Sequence, residues 1–396
     1  MLSEPPTPGR WPTDVGAHIH TLAAQAASQN PPTLRIGAER IPLLGRARVY
    51  VCGITPYDTT HVGHAATFVW ADLAARVFRL SGVEVEVCRN ITDVDDHLLA
   101  EARTKKVSWR ALAAEQTYRF ERDMAELGVV HPTYEPRSFD HVDDVITLVA
   151  ELLATEAAYE RDGNVYFRGT DVHRGVGLSR QEALDLAGER GGCPDDPKKQ
   201  DPLDSVMWQR SVGDEPAWES PWGQGRPGWH VECSAMALST LGPTMDLHVG
   251  GEDLEFPHHA YEAAQAEAFT GVRPFSRSWV HVGSVMIEGR KMAKSSGNLV
   301  FAHDLLERFG PAPIRLLLLD RRWRDPWEFD EASLDQASDE LEHLFSLSAT
   351  PSRSPNAGTA VVAALTDDLD VPRAFAIAKE AGGEPLRNLM GFLGLI

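Results

Sequence analysis

The feature that most constrains this chain is a pair of phosphate-handling motifs about 230 residues apart, each following a strand-like run. HVGH occupies residues 61–64 after the apolar run 48–52, and KMAKS occupies residues 291–295 after the run that begins at Trp279. Nucleotide activation needs hydrogen-bond donors at one end of a triphosphate and mobile ammonium charge at the other. His61 and His64 flank Gly63 at an expected helix N-terminus, where backbone N–H groups and the helix dipole favour phosphate. Lys291 and Lys294 sit in the Gly-bounded loop 288–297, a loop able to close on pyrophosphate. Read singly, the first motif is a helix cap and the second a solvated basic turn. Read together, they mark a nucleotide site.

The pattern around them alternates strand and helix. Strand 48–52 precedes a helix over 65–80. Strand 83–88 has clear period-two alternation and leads into Asn90-Ile91-Thr92 and the acidic cluster Asp93, Asp95 and Asp96. Strand 245–249 leads into Gly250–Asp253 and a helix from about His258, and strand 279–285 precedes the KMAKS loop. Such alternation predicts a parallel, doubly wound α/β sheet with ligands at the carboxyl ends of its strands. The expected division is a lead-in over 1–46, a Rossmann-like body over 47–330 with an insertion around 98–228, and a helical C-terminal domain over 331–396. Residues 98–160 read as mainly helical, and the Gly/Pro/Trp-rich stretch 190–228 reads as a connecting insertion.

With 396 residues and no long apolar run, a full-sized core is expected and a membrane span is not. The Pro-rich N-terminus carries no apolar signal core, which points to the cytoplasm. The formal net charge is −20, from 38 basic and 58 acidic residues. Gripping nucleic acid normally takes a basic surface, so this balance argues against tRNA as a partner. The scattered cysteines contain no CxxC pair, which disfavours disulfides in that compartment and leaves metal or thiol chemistry open.

Two readings compete for Cys52, Cys233 and His258. One is buried structural thiols; the other is a metal site, with Glu262 four residues after His258 on the same helical face. Two thiolates, an imidazole and an open fourth position suit a catalytic zinc. Cys88 and Cys193 read as structural. The acidic cluster 93–96 reads as a loop cap rather than a magnesium site. Asp253, after two glycines at a strand end, is placed to accept hydrogen bonds from ribose hydroxyls, and Trp229 either lines a pocket or fills the core.

Five stretches carry a resemblance: YVCGITPYDTTHVGHAATF (50–68), RNITDVDD (89–96), EPAWESPWGQGRPGWHVECSAMAL (215–238), GGEDLEFPHH (250–259) and KMAKSSGN (291–298). Together they resemble the cysteinyl-tRNA synthetase superfamily of class I, over about 46–330, with LTDDLDVPRA (365–374) similar to its helical tail. Within it, CGITPYD, the final His of HVGH and ERGGCP (189–194) resemble the ligase branch that serves mycothiol biosynthesis. The short tail after 374 leaves little room for an anticodon-binding domain.

The resemblance implies a class I synthetase-like catalytic domain that makes cysteinyl-adenylate from L-cysteine and ATP with Mg2+. It implies transfer of the cysteinyl group to the amine of glucosaminyl-inositol, as a monomer. It further implies one zinc on Cys52, Cys233 and His258, completed by the substrate thiolate, with Glu262 a bystander when cysteine is bound. Contacts to the adenylate are implied for Cys52, Gly53, Ile54, Thr55, Thr67, Asn90, Ile91, Thr92, Trp229, Gly251, Glu252, Asp253 and Val285. Departures are Ala293 in KMAKS, Cys193 where the ligases have Asp, and Glu262 and His248, which look synthetase-like. They keep two alternatives open: a paralogue that uses another amine, and a truncated synthetase.

Overall fold

The structure is a computed structural model; it describes Leu22 and residues 34–396, apart from 59, 294–296 and 355. Within the expected lead-in, β1 (Leu34–Ile36) and β2 (Glu39–Ile41) form an antiparallel hairpin. It is tied to the far end of the chain: Arg35 N donates to Thr366 O at 2.9 Å, and Arg35 pairs with Asp367 at 2.7 Å.

The body begins with β3 (Arg46–Ile54), whose Val49–Cys52 segment is buried on both faces, as a central parallel strand requires. The helix α1 (Val62–Leu80) is buried along most of its length and returns the chain to β4 (Glu84–Ile91). An insertion then runs through α2 (Asp96–Lys105), α3 (Trp109–Glu126) and α4 (Val142–Ala154). It continues through β5 (Ala158–Arg161), β6 (Asn164–Phe167), α5 (Arg180–Glu189), β7 (Ser205–Arg210) and β8 (Gly225–Pro227). Next come α6 (Trp229–Leu241), β9 (Leu247–Gly251), α7 (Ala260–Thr270) and β10 (Trp279–Val282). The small strands β11 (Val285–Ile287), β12 (Arg290–Lys291) and β13 (Trp327–Glu328) form a separate sheet, with α8 (Ala302–Phe309) and α9 (Pro311–Leu319) between its last two members. The chain ends in α10 (Ala332–Ser348), α11 (Ala357–Leu365), α12 (Val371–Ala381) and α13 (Gly383–Leu393).

The central sheet has the order β10-β9-β3-β4, and all its pairings are parallel. From β3 the chain crosses to β4 on one side, while β9 lies on the other. The switch point therefore falls between β3 and β9, and their carboxyl ends carry Cys52–Ile54 and Gly250–Gly251. A crevice must open there.

One expectation needs correcting. Residues 158–227 hold a four-stranded antiparallel sheet, β5-β6-β7-β8, so the stretch 190–228 expected as a connecting insertion contributes strands β7 and β8. It has its own core, which includes Val149, Val165, Phe167, Met207 and Trp208. All four residues of β6 are buried, so the alternation that announces a strand is absent.

The terminal helices share the main core with the parallel sheet. Buried Asp72 pairs with both Arg76 and Arg315. The two guanidinium groups also donate to Phe392 O at 2.8 Å and Leu393 O at 2.7 Å. They satisfy carbonyls that end α13 and complement its negative dipole end.

Candidate active site

A cleft of about 640 Å³ opens at the switch point. It is lined by Cys52–Thr55, His61, His64, Thr67, Asn90, Thr92, Trp229, Cys233, Gly251, Asp253, His258, Val285 and Lys291, so most of the expected site residues converge on it. Ile91 and Glu252 do not line it. Ile91 is fully buried and paired with Ile54 and Pro136 through its backbone, and Glu252 sits on the turn after β9. Lys294 lies outside the described residues.

At the deep end, ligand atoms of Cys52, Cys233, His258 and Glu262 lie within 4.8 Å of one another. Their exposures are 4%, 1%, 1% and 0%. Glu262 is inside this cluster rather than beside it. Its Oε1 is 2.7 Å from His258 Nε2 and accepts from Cys52 Sγ at 3.2 Å, while Oε2 is 2.9 Å from His248 Nε2. The hydrogen bond from Cys52 pulls the Cys233 thiol down to about 7, whereas burial pushes the Cys52 thiol well up. Burial opposes charge on His258, yet Glu262 and Cys233 beside it raise it to about 10. A proton on His258 thus balances a thiolate and a carboxylate. A divalent cation supplies the same balance through four ligands, and the S, S, N, O donor set suits zinc. His230 Nδ1 stands 2.8 Å from His258 Nδ1, a contact that takes one proton and leaves His258 Nε2 facing the cluster. The ring of Trp229 stacks on His258 with centroids 4.2 Å apart.

Above the cluster, the β3–β4 edge is shaped by close approach. A Cβ on Gly53 would stand 1.6 Å from Asn90 O, so only glycine fits. Gly53 N donates to Asn90 Oδ1 at 2.9 Å, and Asn90 Nδ2 donates to Thr92 Oγ1 at 3.0 Å. Thr67 is turned toward Gly63 O on α1. The acidic cluster acts as caps: Asp95 accepts from His97 N and Leu98 N, and Asp93 accepts from Phe139 N. Cys88 is buried; Cys193 is exposed with φ 45°, which departs from a structural role.

At the open end, His61 caps α1 by accepting from Gly63 N at 3.1 Å, and its ring stacks on that of His64 at 3.8 Å. Burial, with Lys291 nearby, lowers His61 to about 2 and His64 to about 4. Both are neutral donors at pH 7, not cations. The two distant motifs are stitched together by backbone: Val62 N donates to Val300 O and Ala302 N to Thr60 O, each at 2.9 Å. Lys291 Nζ lies 3.0 Å from Asp253 Oδ2, and Asn298 braces the loop by accepting from Ala293 N and donating to Lys291 O.

Sequence reasoning missed one contributor, His230, and named another, Arg190, only as part of the 189–194 segment expected to shape the acceptor pocket. Arg190 lines the cleft and donates to Asp253 O at 2.7 Å and to Phe256 O, fixing the β9–α7 turn. His230 was hidden because its partner is 28 residues away. Its only signal was the imidazole beside Trp229 in a motif already singled out.

The fold and this cleft define a class. Residues 42–339 match the model of the tRNA synthetases class I (C) catalytic domain, and the chain belongs to that family. Among relatives, it is 45% identical to the L-cysteine:1D-myo-inositol 2-amino-2-deoxy-alpha-D-glucopyranoside ligase of Acidothermus cellulolyticus, covering 84% of each chain. It is 46% identical to the protein of the same name from Gordonia bronchialis, covering 83% of this chain and 82% of that one. The Mycobacterium tuberculosis methionyl-tRNA synthetase in complex with methionyl-adenylate has a TM-score of 0.62 at 18% identity, covering 89% of this chain and 82% of that one. That likeness is one of fold.

Proposed function

We propose that this chain is an ATP-dependent, AMP-forming ligase that joins L-cysteine to the amine of glucosaminyl-inositol. The observation that carries this reading is that one cleft holds a buried thiol–imidazole–carboxylate cluster and the two phosphate motifs together. The similar relatives named as ligases of cysteine with that amino sugar support the choice of acceptor.

Cys52, Cys233 and His258, with Glu262 in the same cluster, would hold a zinc ion, and the cysteine sulfur would bind at this end of the cleft. Zinc bound there supplies a soft Lewis acid that separates a thiol from a hydroxyl, which a steric pocket does poorly. The cysteine carboxylate attacks the α-phosphorus of ATP, giving cysteinyl-adenylate and pyrophosphate. Neutral His61 and His64 donate hydrogen bonds to the phosphates. Lys291, released from Asp253, and Lys294 offset the charge that builds on the leaving pyrophosphate, with Mg2+ on ATP. Asp253 then accepts from the ribose, and Gly53, Thr55, Asn90 and Thr92 line the adenylate. The acceptor amine attacks the carbonyl, loses a proton and expels AMP, leaving an amide.

No helix among the described residues is long and apolar enough to cross a membrane. The test is incubation with cysteine, ATP, Mg2+ and candidate amines, with mass analysis of products. Cysteinyl glucosaminyl-inositol and AMP are expected, and pyrophosphate exchange into ATP should need cysteine but no tRNA. Strict dependence on tRNA would mark a truncated synthetase; product from a different amine alone would mark a paralogue.

A further inference from the structure

The cleft holds a carboxylate that the cysteine and ATP roles leave unused. Three carboxylates line the cleft: Asp58, Glu189 and Asp253. Asp253 is paired with Lys291, and Asp58 acts on His64, whose imidazole its charge favours in the protonated form. Glu189 ends α5, is exposed to the cleft, and has no ion pair among the described residues. Its neighbour Arg190 makes no ion pair with it; that guanidinium donates to the carbonyls of Asp253 and Phe256. The same two bonds fix where α5 ends relative to the β9–α7 turn. Glu189 is therefore a cleft-lining carboxylate that makes no ion pair among the described residues, on a backbone position that the neighbouring Arg190 ties to the β9–α7 turn.

We propose that Glu189 is the specificity-determining residue for the acceptor: its carboxylate pairs with the primary ammonium group of an amino sugar and holds that nitrogen beside the activated carbonyl, which it attacks as the neutral amine once the ammonium proton has passed to solvent. This rests on the acceptor reading above and adds the residue that carries it. A carboxylate distinguishes an ammonium from the hydroxyl of an isosteric neutral sugar, which the many hydroxyl contacts of a glycoside do not. The net charge of −20 works in the same direction over longer range.

The experiment compares wild type with Glu189→Gln, which keeps shape and hydrogen bonding but loses charge. Amide formation is followed against glucosaminyl-inositol concentration, and cysteine-dependent pyrophosphate exchange shows that each protein is folded and forms adenylate. The KM for the amine should rise roughly ten- to a hundredfold, the loss expected for a hydrogen bond to a charged group. The Ki of the hydroxyl analogue glucosyl-inositol should move less than twofold. A KM that changes less than twofold, an equal loss of affinity for the hydroxyl analogue, or loss of pyrophosphate exchange overturns the assignment of Glu189. Glu189→Asp should recover part of the lost affinity, which a purely steric role would not allow. If wild type forms adenylate but passes cysteine to no amino sugar, the acceptor reading falls and this inference falls with it. If wild type makes the amide and only the Glu189→Gln KM is unmoved, the acceptor reading stands alone.

Discussion

The two ends of the cleft are built on opposite principles. At the deep end, Cys52, Cys233, His258 and Glu262 are buried, and three of them meet a further buried group: His258 meets His230, Glu262 meets His248, and Cys233 meets Asn90. At the open end, the Lys291 side chain is 43% exposed and rests on one carboxylate. Desolvated donors held in advance can discriminate between a thiol and a hydroxyl, because their geometry costs nothing to assemble at binding. A hydrated ammonium on a loop does something else: it can leave one anion for another as charge moves during transfer. The cleft thus pairs a rigid selector with a movable charge.

The largest expected effect comes from breaking the rigid end outright. Cys52→Ala together with Cys233→Ala should reduce bound zinc from about one equivalent per chain to near none. Elemental analysis of purified protein measures this, and cysteine-dependent exchange should vanish with the metal. Full retention of the metal would remove the basis for treating the two ends as different.

The movable end should fail in a different way. Lys291→Ala should slow pyrophosphate exchange by about a hundred- to a thousandfold, the usual loss when one group that stabilises transition-state charge is removed. Zinc content should stay at the wild-type level. A variant that lost metal as well would show that the ends are mechanically coupled.

Holding the rigid end costs less to disturb than its ligands do. His230→Gln removes the imidazole that faces His258 Nδ1. Zinc affinity, measured by competition with a chelator, should fall about ten- to a hundredfold, as expected for a partner of a ligating histidine. The KM for ATP should move less than twofold.

How much of this was legible follows the same division. The ends of β3 and β9 could be read because strand-like runs stop at Cys52 and Gly250, and the parallel-sheet rule then places both at one crevice. HVGH and KMAKS were readable as local motifs, but the backbone bonds from Val62 to Val300 that join them were not. Contacts that depend on tertiary approach left no periodic trace: His230 to His258, Arg190 to Phe256, and Arg35 to Thr366. The antiparallel sheet was missed for a different reason. Its strands are short and lie among glycines, prolines and tryptophans, and β6 is buried on both faces, so composition read as connection.

The smallest effect tests the electrostatics at the boundary between the ends. His64 is half-buried, and its desolvation holds the imidazole down to about 4, against an ordinary value near 6.5. The unfolded chain takes up a proton at this residue as pH falls below about 6.5, whereas the folded chain resists until about 4. More protons bound in the unfolded state means that stability rises with pH. His64 therefore favours folding fully above about pH 6.5 and loses that contribution progressively as pH falls toward 4, by at most about 1.4 kcal/mol per pH unit. Urea unfolding of wild type and His64→Gln between pH 7 and 4.5 measures the difference. The wild-type curve should fall more steeply than that of the variant over this window, while the two run parallel above pH 7. Parallel curves throughout would mean that His64 is hydrated and readily protonated in the folded protein, so that the HVGH end offers phosphate a cation rather than a neutral donor.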